Sequence, residues 1–324
     1  MNTSIDFTSF TQKILEILRK KLGADYTVFS HCVRKNNGME LTGIVAKYTG
    51  RTTYPTIYIN SLYRDGITEE EIVEAADTLY EEFLASEFEK DVDLSDFVTF
   101  DKAKERLAFK LIHAEKNKEL LKDVPHRLFH NLAIVFYYVV KEPPFYGKAS
   151  ILVRDSYKKR WGISTDELME LALKNTPALL PGVINDMEEV MREIIAENIR
   201  NDLKEESFFD EKLLEELISQ MSEKPEKKKI PMYVLTNKQK LYGAACMLYP
   251  GVLKNFAEKM KQDFYILPSS VHEVILVPAN AGTDQQSLRE IVTDINRTQV
   301  AADEILADSV YFYSRSRDRV LWLS

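Results

Sequence analysis

Leu132-Ala133-Ile134-Val135-Phe136-Tyr137-Tyr138-Val139-Val140 is the longest apolar run of the chain, nine residues in all. A membrane-crossing helix needs about 20 apolar residues, so the run does not span a bilayer. Its side chains are β-branched or aromatic and apolar at odd and even positions alike, which predicts a strand buried on both faces. Phe129 to Val140 therefore reads as the central strand of a sheet. Pro143-Pro144 turns the chain after it, and Ala149 to Arg154 returns as another strand.

Working back toward the N-terminus, Lys110 to His113 reads as a strand and Asp101 to Ala108 as a short helix. Ile67 to Phe88 carries the clearest helical pattern. Ile72, Ala75, Ala76, Leu79, Tyr80 and Phe83 fall on one face, and Thr68 with Glu71 forms a capping box at its start. A first helix presents Phe7, Phe10, Ile14, Ile17, Leu18 and Leu22 on one face and ends at Gly23. Between the two helices lie strands at Tyr26 to Ser30, Leu41 to Tyr48 and Thr52 to Asn60, with a turn at Asn36-Asn37-Gly38.

Working toward the C-terminus, Ser164 and Glu167 form a second capping box, opening a helix through Leu168, Leu171 and Ala172. Pro177 and Pro181 bracket a loop. Helices are expected from Ile184 to Ile199 and from Glu211 to Met221. Met232 to Leu235, Phe264 to Leu267, Val271 to Val277, Ser309 to Tyr313 and Arg319 to Trp322 read as strands, and Tyr242 to Leu248 as a buried apolar stretch. Val252 to Met260 and Gln285 to Asn296 read as helices, the second with Leu288, Ile291, Val292 and Ile295 inward. The fold class is α+β: mixed, largely antiparallel sheets with packed helices in two lobes. Ser222-Glu223-Lys224-Pro225-Glu226-Lys227-Lys228-Lys229-Ile230-Pro231 is polar, basic and Pro-bounded, as linkers are. It divides an N-terminal region, 1–221, with a sub-boundary near 95–125, from a C-terminal domain, 232–324.

The 324 residues are 45% hydrophobic and 29% charged, with 16 Tyr and 16 Phe, which is a globular and not a disordered composition. The N-terminal stretch lacks the basic, apolar and small-residue order of a signal peptide. Cys32 and Cys246 are the two cysteines; both are expected as buried thiols in a reducing compartment, and the expected location is the cytoplasm. The net charge is −8, which argues against a nucleic-acid binder, whose surface is usually basic. The charge is uneven. Residues 1–66 hold nine Lys/Arg and five Asp/Glu, whereas residues 67–100 hold one Lys and twelve Asp/Glu.

No dinucleotide, P-loop, nucleophile-elbow or zincin motif occurs, and no pattern calls for a cofactor or a metal. His126 and His130 stand four apart, but strand geometry separates them by more than 13 Å, so they read as turn or surface residues. His31 and Cys32 are neighbours in a strand and point to opposite faces. His113 is a further partner to consider for Cys32. The densest polar group is Leu267-Pro268-Ser269-Ser270-Val271-His272-Glu273. Strand alternation there puts Ser270 and His272 on one face with Glu273 opposite, the residue types of a nucleophile, a base and an orienting acid. Asn296, Thr298 and Gln299 at a helix end complete this candidate site. Tyr311, Phe312, Tyr313 and Trp322 beside Arg315, Arg317 and Arg319 form a basic, aromatic hairpin of the kind that holds single-stranded nucleic acid, and Ser314-Arg315-Ser316-Arg317 is a minor candidate for phosphate.

The segments Ile266 to Glu273, Asn296-Arg297-Thr298-Gln299-Val300 and Leu306-Ala307-Asp308-Ser309-Val310-Tyr311 carry a family resemblance, together with Leu120 to His126 and Tyr54-Pro55-Thr56-Ile57-Tyr58. On these residues the chain resembles an uncharacterised family of Gram-positive gut bacteria, a domain of unknown function often met near mobile genetic elements. The resemblance implies a bacterial cytoplasmic protein and assigns no activity. The first expectation is thus a soluble binding protein without catalytic activity, whose partner is another protein or a small ligand. In that case the acidic helix at 67–90 and the basic segment at 224–240 steer the partner. The alternatives are a hydrolase-like enzyme built on Ser269, Ser270, His272, Glu273, Asn296 and Gln299, and a weak nucleic-acid binder acting through the C-terminal hairpin.

Overall fold

A computed structural model of the protein describes residues 5–50, 54–87, 94–141, 149–203, 230–280, 282 and 284–323. The chain divides into two compact units, Met1–Ala103 with Val139–Ile151, and Lys104–Tyr138 with Leu152–Ser324. The class is α+β.

The first unit opens with helix α1 (Phe7–Leu22), capped by the Asp6 carboxylate, which accepts the Ser9 N–H at 2.7 Å. Strands β1 (Tyr26–Arg34), β2 (Glu40–Tyr48) and β3 (Thr56–Tyr58) follow as an antiparallel sheet in that order. Helix α2 (Glu69–Glu87) starts at the expected capping box: Thr68 N–H donates to Glu71 Oε2 at 2.8 Å and Glu71 N–H to Thr68 Oγ1 at 3.3 Å. Phe10, Ile14 and Leu18 of α1 and Ile72, Ala76, Leu79 and Phe83 of α2 form one core with Val28, Ile44 and Ala46. Both helices therefore lie on the sheet face to which those three strand residues point. Two short helices, α3 (Ser95–Val98) and α4 (Phe100–Ala103), close this part of the unit.

The second unit holds two sheets. In one, β6 (Leu132–Val139) lies between β4 (Leu107–His113) and β5 (His126–Phe129), antiparallel to both. Residues 132–138 are all buried, as their two-faced apolar pattern requires. After β7 (Ser150–Leu152), where the chain re-enters the second unit, come α5 (Asp155–Trp161) and α6 (Thr165–Leu179). Ser164 and Glu167 make the second capping box. α6 is tied to β4: Asn175 Nδ2 donates to Leu107 O at 3.2 Å, and Thr176 Oγ1 accepts the Phe109 N–H at 3.1 Å.

The other sheet has six strands in the order β13-β12-β10-β11-β9-β8, formed by β8 (Gly182–Asp186), β9 (Tyr233–Asn237), β10 (Phe264–Leu267), β11 (Val274–Pro278), β12 (Val310–Ser314) and β13 (Arg319–Leu323). Helices α7 (Met187–Leu203), α8 (Val252–Met260) and α9 (Gln285–Thr298) accompany it. Successive strand side chains point to opposite faces. Phe264 stacks on Tyr313 and meets Phe256 of α8 edge-on, while Leu267 and Val277 pack with Leu288 and Val292 of α9. The two helices thus cover opposite faces.

Several expectations are corrected. The strand foreseen from Phe129 to Val140 is two strands, because His130, at φ 55°, and Asn131 turn the chain so that Phe129 faces Leu132. The helix foreseen through Ala108 is α-helical only to Ala103 and continues as a 3-10 turn over Lys104–Arg106, and Leu107 and Ala108 belong to β4. Pro177 lies inside α6 and brackets no loop; Ile184 and Asn185 are strand residues, and the helix begins at Met187. The buried stripe of α9 is Leu288, Val292 and Asn296, and Ile295 is exposed, so a polar side chain takes the place given to an isoleucine. Cys32 is exposed and only Cys246 is buried; Cys32 pairs with Thr42 toward the end of the hairpin, beyond Val28 and Ile44, where the helix-facing core stops. The expected helix 211–221, the Pro143-Pro144 turn and 222–229 of the basic run lie outside the described residues.

Candidate functional site

The Ser-Ser-Val-His-Glu segment bridges β10 and β11. It is not a strand: β11 begins at Val274, and Ser270 makes only an isolated bridge with Ile305. Its backbone is bound to the stretch before β12. Val271 N–H donates to Glu304 O at 2.8 Å, Leu306 N–H to Ser269 O at 2.9 Å and Ala307 N–H to Pro268 O at 3.0 Å. Ser269 and Ser270 are buried. Ser270 Oγ accepts the backbone N–H of His272 at 3.0 Å, a serine turn of the local kind that short hydroxyl side chains favour.

The imidazole of His272 looks elsewhere. Its Nδ1 lies 3.1 Å from Lys240 O and 3.3 Å from Tyr242 N. A protonated Nδ1 donates to the carbonyl, and a bare one accepts the amide. Nε2 lies 3.5 Å from Glu304 Oε1. The ring stacks on Tyr242, with centroids 5.7 Å apart and planes 13° apart. Lys110 Nζ sits 3.9 Å from the Tyr242 ring centroid, and Tyr137 meets that ring edge-on at 5.1 Å.

Asn237 builds the loop that presents Tyr242. Its Oδ1 accepts the Gln239 and Leu241 N–H groups, both at 3.1 Å, and its Nδ2 donates to Leu241 O at 2.7 Å. Lys240 and Tyr242 both sit at φ 51° within it, left-handed conformations that cost non-glycine residues energy. Gly243 then lets the chain pass under His272: a Cβ there would lie 2.4 Å from His272 O and 2.2 Å from Thr236 Oγ1. Thr236 Oγ1 itself donates to His272 O at 2.7 Å. Burial raises the Glu273 carboxyl above the usual range, with Glu304 adding to the effect and His272 and Lys240 opposing it. Burial also pushes the Cys246 thiol up to about 12.

Asn296 projects from α9 toward the same stretch, where its Nδ2 donates to Ala307 O at 3.1 Å and Asp308 Oδ1 at 2.6 Å. Ser269, Ser270 and Asn296 are thus gathered around residues 305–308, and His272 and Glu304 face each other. Thr298 and Gln299 are exposed at the end of α9, where Thr298 Oγ1 donates to Asp294 O and Gln299 N–H to Ile295 O. Lys110, Thr236, Lys240, Tyr242 and Glu304 were not foreseen.

The remaining candidates have separate partners. His126 Nδ1 pairs with Val124 O and His130 Nε2 with Val320 O. His113 Nδ1 accepts the Lys116 N–H at 3.2 Å, and burial lowers its pKa. Among the described residues no group of three or more His, Cys, Asp or Glu gathers that could hold a metal ion, and no helix is long and apolar enough to cross a membrane. In the C-terminal hairpin Tyr311 and Tyr313 are core residues, and Trp322 is exposed. Tyr311 Oη donates to Asn131, whose Nδ2 donates to Ser309 Oγ at 3.0 Å.

The model of a family of unknown function, DUF5688, matches residues 7–315. No curated protein and no solved structure matches the chain.

Proposed function

The chain belongs to the DUF5688 family, and from that premise, with no activity to carry over, we propose that it acts by binding and performs no catalysis. The observation that carries this is the use made of Ser270 and His272. The serine hydroxyl accepts a backbone N–H, and the imidazole is engaged with Lys240, Tyr242 and Glu304. A nucleophilic serine needs the ring nitrogen of its base within hydrogen-bond reach of its own hydroxyl. These polar groups hold loops together, and a binding surface elsewhere on the chain is the function they serve. The exposed thiol of Cys32 favours a reducing compartment, so we place the protein in the cytoplasm, in the bacterial setting that the sequence resemblance implies.

The test is hydrolysis of a panel of chromogenic esters, amides and phosphate esters by the full chain and by Ser270→Ala. Rates equal to buffer for both are expected. Turnover that is lost in Ser270→Ala, with the melting temperature unchanged, would replace binding with a hydrolase-like function.

A further inference from the structure

The helices of the first unit cover one face of its sheet, and the other face carries a different kind of surface. In register, Phe29 lies beside Val45 and Thr56, and His31 beside Gly43 and Tyr58. These residues alternate with Val28, Ile44 and Ala46, which point to the helices. Phe29 is 37% exposed for an aromatic side chain at mid-strand, and His31 is exposed beside it. Their rings lie 6.3 Å apart. Gly43 is the floor between His31 and Tyr58: a Cβ there would lie 3.6 Å from His31 Cε1, 3.5 Å from Tyr58 Cε1 and 2.3 Å from Thr56 Cγ2. The absence of a side chain lets the two rings approach across the strand between them.

Lysines border these rings. Lys35 Nζ sits 4.2 Å from the Tyr58 ring centroid, and Lys47 Nζ 5.7 Å from that of Tyr54, which is 40% exposed. Neither lysine has an acidic partner among the described residues. Glu69, Glu70, Glu74 and Glu81 are exposed on α2, in the layer behind the sheet, where Lys13 and Lys21 of α1 pair with Glu69 and Asp77. On a chain of net charge −8, Lys35 and Lys47 are the cations set against the rings of this face.

We propose that this face binds single-stranded nucleic acid, with bases stacked on Phe29, His31 and Tyr58 and phosphates drawn to Lys35 and Lys47. Flat rings about 6 Å apart suit successive unstacked bases, and every base has a π-face to offer them. The ammonium of Lys35 rests on the Tyr58 ring; a base stacking there displaces that ammonium toward a phosphate. The proposal names a ligand for the binding function above and rests on it.

The experiment is a fluorescence-anisotropy titration of the full chain with labelled oligo(dT) and oligo(U) of about 12 nucleotides, within the usual span of such sites. A matched duplex and polyglutamate are run beside them, across a range of salt. Salt-sensitive binding of the single strands, tighter than of duplex or polyglutamate, is expected. Phe29→Ala and Tyr58→Ala should each weaken it by about 5- to 100-fold, the effect of losing one stacked base. Lys35→Gln should flatten the slope of log K against log salt by about 0.7. If Tyr58→Ala unfolds the unit, Phe29→Ala and Lys35→Gln, both changes of surface side chains, decide the matter. Absence of binding, equal binding of polyglutamate, or affinity unchanged in Phe29→Ala and Lys35→Gln would overturn the proposal. A blank titration alongside a blank hydrolysis panel removes this ligand and leaves the binding function standing.

Discussion

The ring of His272 lies nearly parallel to that of Tyr242, with 5.7 Å between centroids and 13° between planes. Tyr242 holds that position from a left-handed backbone conformation, and Gly243 after it clears the path beneath His272. The pair therefore depends on a residue with no side chain. Gly243→Ala places a methyl 2.4 Å from His272 O and 2.9 Å from Asn237 N, both backbone atoms that cannot swing away. Overpacking of this kind costs about 1–3 kcal/mol. We expect Gly243→Ala at the upper end of that range, with a melting temperature several degrees lower in a thermal unfolding scan.

Glu273 gives the segment a pH signature. Burial raises its carboxyl in the folded chain, so the unfolded chain releases that proton first as pH rises. The stability contributed by the protonated carboxyl is complete below the ordinary carboxylate value of about 4.3 and is lost as pH rises through the raised folded value. Glu273→Gln removes the cost of ionisation. The variant should melt higher than the parent at pH 7, and the advantage should vanish near pH 4. An equal difference at both pH values would contradict this assignment.

The cysteines should react as different species. Cys32 is exposed, and Cys246 is buried with its thiol pushed up to about 12, its Sγ donating to Thr236 O at 3.2 Å. Thiolate is the reactive form. A thiol reagent at neutral pH should titrate one cysteine in the native chain and both in denaturant. Mass spectrometry should find the native label on Cys32.

The Asn131 side chain should matter more than its place in a turn suggests. It accepts from the buried Tyr311 hydroxyl and donates to Ser309. Asn131→Ala leaves the Tyr311 hydroxyl without its acceptor, a loss of about 1–3 kcal/mol. Asn131→Ala combined with Tyr311→Phe should recover part of that loss in a denaturant titration.

The sequence made legible those features whose causes are local. Both capping boxes, the packed faces of α1 and α2, and the buried β6 all follow from periodicity and cap chemistry within one element. The features set by tertiary partners were not legible. The β5–β6 turn contains no glycine, and its conformation is anchored by residues 178 and 180 positions away. Asn296 takes a core position on α9 because Ala307 and Asp308 satisfy its amide. At the candidate site, Ser269, Ser270, His272 and Glu273 were found because they are contiguous. Alternation was the wrong geometry for them, since residues 271–273 form no strand. Their true neighbours Tyr242, Lys240 and Glu304 lie about 30 residues away on either side, and no local pattern points to them.

The central claim is that Ser270 and His272 serve the fold and not a reaction. Its most direct measurement is incubation of the native chain with a fluorophosphonate probe, which modifies activated serines, followed by mass spectrometry of the intact protein and its peptides. No adduct at Ser269 or Ser270 is predicted, because the Ser270 hydroxyl accepts from a backbone amide and the His272 ring is held by Lys240 and Tyr242. A stoichiometric adduct at Ser270 that disappears in His272→Ala would contradict it.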